Sequence, residues 1–460
     1  MKISVIGCGY LGAVHAATLA SMGHQVTGID LDPRKIDHLN RGFSPFFEAG
    51  LEELLHAGRR NGTLRFTSSY EGIDDAEVHF LCVGTPQSKT GQGADLSHLV
   101  AAAGSLAPQL RAGAVVVGKS TVPVGTVDLL GRMLAGTGAL LGWNPEFLRQ
   151  GTAVADSLHP DRLVYGVDGT DGGRVAEVLD AVYAPLLAAG TPRLVVGTRT
   201  AELIKSAANA FLSLKLSYVN ALSEFCDASG ADVQDLSLAL GMDARIGGTF
   251  LRAGVGFGGG CLPKDLRSLK AQAQELGVDA VEQLMGWVDG ANGSARRRTV
   301  DAARTLCGGR LGGRRITVLG AAFKPNTDDI RDSPALDIAV QLAAQGANVV
   351  VTDPRAINNA WLQYPQLRFE PNTRSALDGA ELVLLLTEWA DYVALDPVEA
   401  AAVVARPVML DGRNALDAAL WRTAGWEYHG IGRGADGAAA AGAGAHTTSG
   451  TAAAVRSAAV

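Results

Sequence analysis

Residues 2–32, KISVIGCGYLGAVHAATLASMGHQVTGIDLD, constrain what this chain can fold into more than any other stretch. A short β-rich run, Ile3 to Ile6, meets Gly7, Gly9 and Gly12 in G-x-G-x-x-G spacing. An Ala-rich helical stretch follows to about Gly23, and a second strand, QVTGID, ends at Asp30. Three glycines so spaced are a weak signal alone. Between a strand and a helix, with an acid closing the next strand, they predict a βαβ unit that binds a dinucleotide. Gly7 permits the tight turn, Gly9 lets backbone approach a pyrophosphate, and Gly12 lets the helix pack on the strand. The helix N-terminus offers unpaired N–H groups to the phosphates, and Asp30 accepts hydrogen bonds from the adenosine ribose hydroxyls.

Further strands are expected at AEVHFLCVGTP, AVVVGKSTVP and ALLGWNPEFL. An open parallel sheet holds its ligands at the carboxyl ends of its strands. Thr85-Pro86, Ser120-Thr121 and Asn144-Pro145-Glu146 are therefore expected to gather near the cofactor, although each is also ordinary turn chemistry. Near residue 314 the pattern repeats: RRITVLGAAFKPNTDDIRDSPALDIAVQLAAQGANVVVTDP reads strand, turn, helix, strand, ending at Asp353. Its turn lacks the three glycines and carries Lys324 and Arg331 instead. We read a second doubly wound domain without the dinucleotide fingerprint, extended by AELVLLLTEW and by VMLDGRN with Arg413. At 460 residues the chain has room for both and for what joins them.

The join is TAELIKSAANAFLSLKLSYVNALSEFCDASG, one long helical stretch that ends at Gly230. Lys205 and Asn209 are four residues apart and share a face. Ala207, Ala208, Ala210 and Phe211 nearby suggest that something packs closely on that face. Beyond it comes GVGFGGGCLPKD, in which a run of glycines ends at Cys261. Two readings compete there: a tight turn with a small buried thiol, or a nucleophile held where backbone approaches a ligand.

Forty basic and 47 acidic residues, net charge −7, argue against nucleic acid, which needs a concentrated positive surface. Five scattered cysteines without a C-x-x-C pair suggest neither a disulfide framework nor a zinc site, and no metal is expected. The N-terminus lacks the pattern of a signal peptide and no apolar run is long enough for a membrane span, so the expectation is a reducing cytoplasm. Residues 435–460, rich in Ala, Gly, Ser and Thr, are read as a disordered tail.

Together GCGYLG, VGTPQ, KSTVPVGT, NPEFLRQGTAVADSLHPDRLVYG, ELIKSAANAFL, GVGFGGGCLPKD, FKPNTDDIRDSPA and DGRN resemble the nucleotide-sugar 6-dehydrogenases, in that family's order, from Met1 to about Gly434. The resemblance implies an α/β protein of two doubly wound, Rossmann-like domains joined by a central, mainly helical domain with a long helix. Its implied divisions are 1–198 for NAD, 199–295 for a helical dimerisation domain and 296–434 for the UDP-sugar. It implies a homodimer or dimer-based oligomer, and two oxidations of a sugar C6 alcohol to an acid with NAD.

The family's chemistry gives Cys261 a purpose. An aldehyde must add a nucleophile before it can be oxidised again, and a thiolate gives a thiohemiacetal, then a thioester that water hydrolyses. By resemblance, Lys205 stabilises oxyanions, Asn209 holds the same oxygen or a water, and Asp265 handles protons or orients water. Glu146 is the base for hydrolysis and Thr121 a polar contact near the reacting centre. The cofactor residues implied are Gly7, Gly9, Tyr10, Leu11, Gly12, Asp30, Lys35, Val83, Thr85, Pro86, Ser120, Thr121, Gln150, Lys264 and Arg331. The substrate residues implied are Glu146, Phe147, Leu148, Lys205, Asn209, Gly258, Lys324 and Arg413, with Phe250, Leu251 and Arg252 as a closing loop and Arg245 reaching a neighbouring subunit. Gln150 and Gly260 depart from the frequent Glu and Ser. The first removes an acid or base there, and the second removes a hydroxyl beside the thiol. GFGGGCLPKD and NPEFLRQGTAV favour UDP-glucose as substrate over GDP-mannose or a UDP-N-acetylhexosamine. A non-catalytic NAD-binding regulator is the alternative of another class, and the intact set of Cys261, Lys205, Asn209 and Asp265 argues against it.

Overall fold

The computed structural model describes residues 1–89 and 91–434, and the disordered-tail reading of 435–460 lies outside them. The chain forms two compact units. Among the described residues, one comprises Met1–Ala210, Lys264–Met285 and Asn326–Asp328; the other comprises Phe211–Pro263, Gly286–Pro325 and 329–434.

The first unit is built on β1 (Lys2–Ile6), β2 (Gln25–Ile29), β3 (Leu64–Thr67), β4 (Val78–Leu81), β5 (Val115–Gly118), β6 (Leu140–Trp143), β7 (Leu163–Gly166) and β8 (Arg193–Val196). Their order is β3-β2-β1-β4-β5-β6-β7-β8. The order reverses between β1 and β4, which is where a doubly wound sheet opens its ligand crevice. Register is set by alternation. Ile3, Val5, Val115 and Val117 face one apolar cluster, while Ile6 and Val116 face another, so both faces are covered. Burying each such side chain stabilises by roughly 1.5–3 kcal/mol. Pairing is parallel except that β7 meets β6 antiparallel, at Trp143 and Gly166. β7 and β8 have four residues each, too few for a period to show, and follow the turn residues Pro160-Asp161 and Gly190-Thr191-Pro192.

The second unit carries β9 (Arg315–Leu319), β10 (Asn348–Thr352), β11 (Arg368–Phe369), β12 (Leu382–Leu385), β13 (Val408–Asp411) and β14 (Glu427–Gly430). Their order is β11-β10-β9-β12-β13-β14, parallel throughout, the same winding a second time. The repeat is architectural only. Asp353, the counterpart of Asp30, is buried and spent on its own turn. Its Oδ2 accepts from Ala321 N at 2.7 Å, Ala322 N at 2.9 Å and the Trp389 indole at 3.0 Å.

The long helix is Thr198–Ser229, and Gly230 ends it at φ +78°. At 100° per residue, Lys205 and Asn209 turn inward together and both are buried. One expectation needs correcting. Ala207 and Phe211 lie half a turn from that face and are exposed, so they do not line it. Glu202 and Ser206 are the buried neighbours instead. Among the described residues no helix is long and apolar enough to cross a membrane.

Candidate active site

Close contacts explain the first glycine turn. Gly7 sits at φ +90°, and a Cβ there would lie 2.7 Å from Val83 Cγ1; at Gly12 it would lie 1.8 Å from the Gly7 carbonyl oxygen. Both glycines are demanded by the fold. A Cβ on Gly9 would meet nothing within 4 Å among the described residues. That open side faces away from the protein's own packing, at the start of helix Tyr10–Ser21, whose Gly9 cap has no side-chain bond. The cradle fits a pyrophosphate by shape and by its unpaired N–H groups. Asp30 is partly buried, accepts from Asp32 N at 3.1 Å and pairs with Lys35 at 2.7 Å. The Thr85 hydroxyl donates to the Thr121 carbonyl at 2.6 Å, and the Ser120 hydroxyl donates to the Val83 carbonyl at 2.7 Å. The loops after β4 and β5 are thus brought together as expected. Leu11 is half-buried and Pro86 exposed on the same unit.

The charged set of the first unit converges from three parts of the chain. Glu146 follows β6, and its Oε1 lies 3.1 Å from Lys205 Nζ on the long helix. Its Oε2 accepts from Leu148 N at 2.6 Å, which bends the turn back on itself. Phe147 lies under Arg162, 3.9 Å from guanidinium to ring centroid. Asn209 Nδ2 donates to Asp265 Oδ2 at 2.6 Å, and Lys264 Nζ lies 2.6 Å from Asp265 Oδ1. All of Lys205, Asn209 and Asp265 are buried. Two carboxylates, two ammonium groups and an amide held this way offer a base, an oxyanion-stabilising charge and a means of orienting water.

The second unit carries the cysteine loop. Cys8, Cys82, Cys226 and Cys307 are buried, whereas Cys261 is exposed, so the packing reading fails at this position. It directly precedes helix Leu262–Glu275, whose first turns carry Lys264 and Asp265. The glycines before it answer to their own neighbours. A Cβ on Gly258 would sit 2.1 Å from the Asp332 carbonyl oxygen, and Gly256, at φ +93°, would press one to 2.5 Å from Asn292 Oδ1. These glycines are therefore required by close contacts within this unit. Asn292 receives Phe257 N at 2.8 Å, and Arg296 donates to the Phe257 carbonyl at 2.8 Å. Gly260 leaves room for Arg331, whose guanidinium carbon would be 2.3 Å from a Cβ there. Arg331 is paired with Asp329, whose carboxylate raises its proton affinity.

Arg413 ties this unit's loops together, donating to the carbonyls of Leu386 at 2.7 Å, Gly256 at 3.2 Å and Phe323 at 3.4 Å. Lys324 is half-buried, with its ammonium 6.0 Å from the Phe323 ring. Phe250 takes φ +62°, a costly conformation for a side chain of its size, while Leu251 is buried and Arg252 exposed. Arg245 is exposed and grips Asp243 at 2.6 Å.

Three buried polar residues escaped the reading of the sequence. Glu48 accepts from the Tyr10 hydroxyl and, at 2.7 Å each, from Gly151 N and Ala153 N, so it ties the first helix to the loop after Gln150. Glu202 accepts from Gly125 N and Val127 N at 2.7 Å each, and burial raises its proton affinity. Lys119 is enclosed behind the Asn144 turn. The available signal was a charge inside an otherwise apolar run, as in GKSTVP.

The chain matches three family models in order. They are the NAD binding domain of the UDP-glucose/GDP-mannose dehydrogenase family over residues 1–187, its central domain over 199–293 and its UDP binding domain over 317–418. A UDP-glucose 6-dehydrogenase of Bacillus subtilis is 40% identical over 442 residues, covering 94% of this chain and 98% of that protein. One from Rhizobium meliloti is 40% identical over 440 residues, with 94% and 100% covered. A UDP-glucose dehydrogenase structure from Pyrobaculum islandicum superposes with a TM-score of 0.86 at 36% identity, over 94% of this chain and 97% of that one. A UDP-D-ManNAc dehydrogenase from Pyrococcus horikoshii shares the fold, with a TM-score of 0.81, at 24% identity, over 94% and 99%.

Proposed function

This chain belongs to the UDP-glucose/GDP-mannose dehydrogenase family and is an NAD-dependent oxidoreductase, and from that premise we propose that it oxidises UDP-glucose at C6 to UDP-glucuronate. The observation that carries the chemistry is the set of half-buried Glu146 with buried Lys205, Asn209 and Asp265, held together in the unit that bears the dinucleotide cradle. The choice of sugar is supported by the 35–40% identity to UDP-glucose 6-dehydrogenases over 94% of the chain. GDP-mannose and UDP-N-acetylhexosamines are the competing substrates.

Gly7, Gly9 and Gly12 would hold NAD with Asp30 on its ribose, and the bound cofactor would supply the hydride acceptor for each oxidation at C6. Lys205 places a positive charge where the C6 oxygen becomes anionic, and Asn209 holds that oxygen or a water. The Cys261 thiolate adds to the aldehyde carbon, and oxidation of this thiohemiacetal leaves a thioester. Glu146 takes a proton from water as the water attacks the thioester; collapse of the tetrahedral adduct breaks the C–S bond, restores the thiolate and frees the acid. Lys324 and Arg413 contact the nucleotide sugar, and Lys264 and Arg331 serve the cofactor side.

A panel of UDP-glucose, GDP-mannose and UDP-N-acetylhexosamines, assayed with NAD and with NADP, tests this reading. UDP-glucose is expected to yield two NADH per acid. NADP is expected to be worse on the order of a hundredfold, the ratio set by about 3 kcal/mol of repulsion between Asp30 and a 2′-phosphate. Another sugar turning over faster, or equal efficiency with the two cofactors, overturns the corresponding half of the proposal.

A dimer built on the long helix is part of this reading. Phe211, Tyr218 and Phe225 are 61%, 48% and 69% exposed, a run of aromatic surface that a single chain leaves in water. Sedimentation is expected to give twice the chain mass of 47.6 kDa or a multiple of that dimer; a monomer at micromolar concentration would refute it.

A further inference from the structure

One buried cation has no part in the scheme above. Lys119 follows β5 and is 7% exposed. Its ammonium donates to Asn144 Oδ1 at 2.8 Å and lies 3.5 Å from the Tyr183 hydroxyl. That hydroxyl donates to the same Oδ1 at 2.6 Å, while Asn144 Nδ2 donates to the Val164 carbonyl at 2.9 Å. The residue two places before Glu146 is thereby fixed from three directions. An ammonium enclosed without a carboxylate in direct contact is costly, and simple packing gives no reason for a lysine here. Behind the turn lies a cavity of about 110 Å³, lined by His15, Lys119, Asn144, Glu146 and Arg162 among others. It is large enough for several waters. His15 Nε2, also buried, has no hydrogen-bond partner among the described residues. A polar cavity of this size lets protons reach Lys119.

We propose that Lys119 is the positioning residue for Glu146 in thioester hydrolysis, holding the Asn144-Pro145-Glu146 turn in place through its bond to Asn144. The inference rests on the hydrolytic role given to Glu146 above. The groups facing Lys119 are His15 from the first helix, Cys82 after β4, Glu146, Tyr183 and Lys205. Burial pulls Lys119 down to about 8, partly offset by Cys82 and Glu146. Burial also pushes Cys82 up to about 12, raises Tyr183 well above its ordinary range and lowers His15 well below its own. Those three stay neutral through the alkaline range, so the charge lost near pH 8 is that of Lys119. It is positive below that pH and neutral above; its charge-assisted bond to Asn144 Oδ1 weakens when the charge is lost, and hydrolysis falls as pH rises through it.

The test uses the full-length enzyme with UDP-glucose and NAD. Lys119→Met is expected to lower the steady rate at pH 7 at least about tenfold, with KM falling alongside it and kcat/KM for both ligands changed by less than about twofold. It should show a burst of NADH, a sugar nucleotide trapped on Cys261 by intact mass, and no alkaline limb near pH 8. Lys119→Arg keeps its charge and should turn over without a burst, with the limb moved to higher pH. A Lys119→Met enzyme that keeps the limb and traps no adduct overturns the inference. If that variant does not fold, Lys119→Arg decides alone: a displaced limb supports the inference, and an unmoved one refutes it. Glu146→Gln, run alongside, separates the two readings. If it traps adduct and Lys119→Met does not, this inference alone falls; if neither does, the assignment of the base falls and takes this inference with it.

Discussion

Replacing Cys261 by Ala is expected to reduce acid formation from UDP-glucose by roughly a thousandfold or more, because the second oxidation has no adduct to act on. The first oxidation asks nothing of the thiol, so a slow release of one NADH per sugar should remain, and the aldehyde form supplied from outside should not be converted at a normal rate. Stability should hardly change. Cys261 is the exposed cysteine of the five, and exposed substitutions of this kind stay within about 0.5 kcal/mol. A melting temperature within about 2 °C of the parent therefore accompanies the loss. The same change at buried Cys8 or Cys82 should show the opposite pattern of lower stability with the chemistry retained. A fully active Cys261→Ala enzyme would return this residue to a packing role.

What could be read ahead of the structure followed the range of the forces involved. The turn at Gly7, Gly9 and Gly12 is a local matter of strand, helix and phosphate, and its reading agrees with the contacts glycine by glycine. The repeat of the winding at residue 315 was legible for the same reason. The fate of Asp353 was not, because whether an acid at a strand end faces a ligand or its own turn depends on Trp389, which lies 36 residues away. GVGFGGG holds a second requirement that the sequence does not announce. Its small residues suggested approach to a ligand, and Gly258 is also required by the Asp332 carbonyl. On the long helix the four-residue spacing placed Lys205 and Asn209 correctly, but adjacency in sequence was mistaken for adjacency on a face at Ala207 and Phe211. Glu48, Lys119 and Glu202 were missed because a buried charge is defined by its partners: the N–H groups of Gly151 and Ala153, the Asn144 amide and the N–H groups of Gly125 and Val127.

Glu146→Gln is the second large effect, and it bears on the order of events. Glutamine keeps the shape of the side chain and an oxygen that can still accept from Leu148 N, now at 2.6 Å from Oε2, so the turn should hold. It loses the charge opposite Lys205 at 3.1 Å and cannot take a proton from water. Both ligands should bind close to normally, and both oxidations should occur once. A burst of about two NADH per subunit should then give way to a steady rate lower by roughly 100- to 10,000-fold, as expected when a general base is removed from the slow step. Intact-mass measurement during that slow phase should find the sugar nucleotide joined through Cys261. A mutant that binds both ligands but shows neither burst nor adduct would move Glu146 to a step before hydrolysis. The base would then have to be Asp265. That carboxylate has one oxygen 2.6 Å from Asn209 and the other 2.6 Å from Lys264, so both groups compete with an incoming proton for its lone pairs. Removing the Asn209 amide would then accelerate hydrolysis in the Glu146→Gln background, whereas with Glu146 as base it would slow the first oxidation.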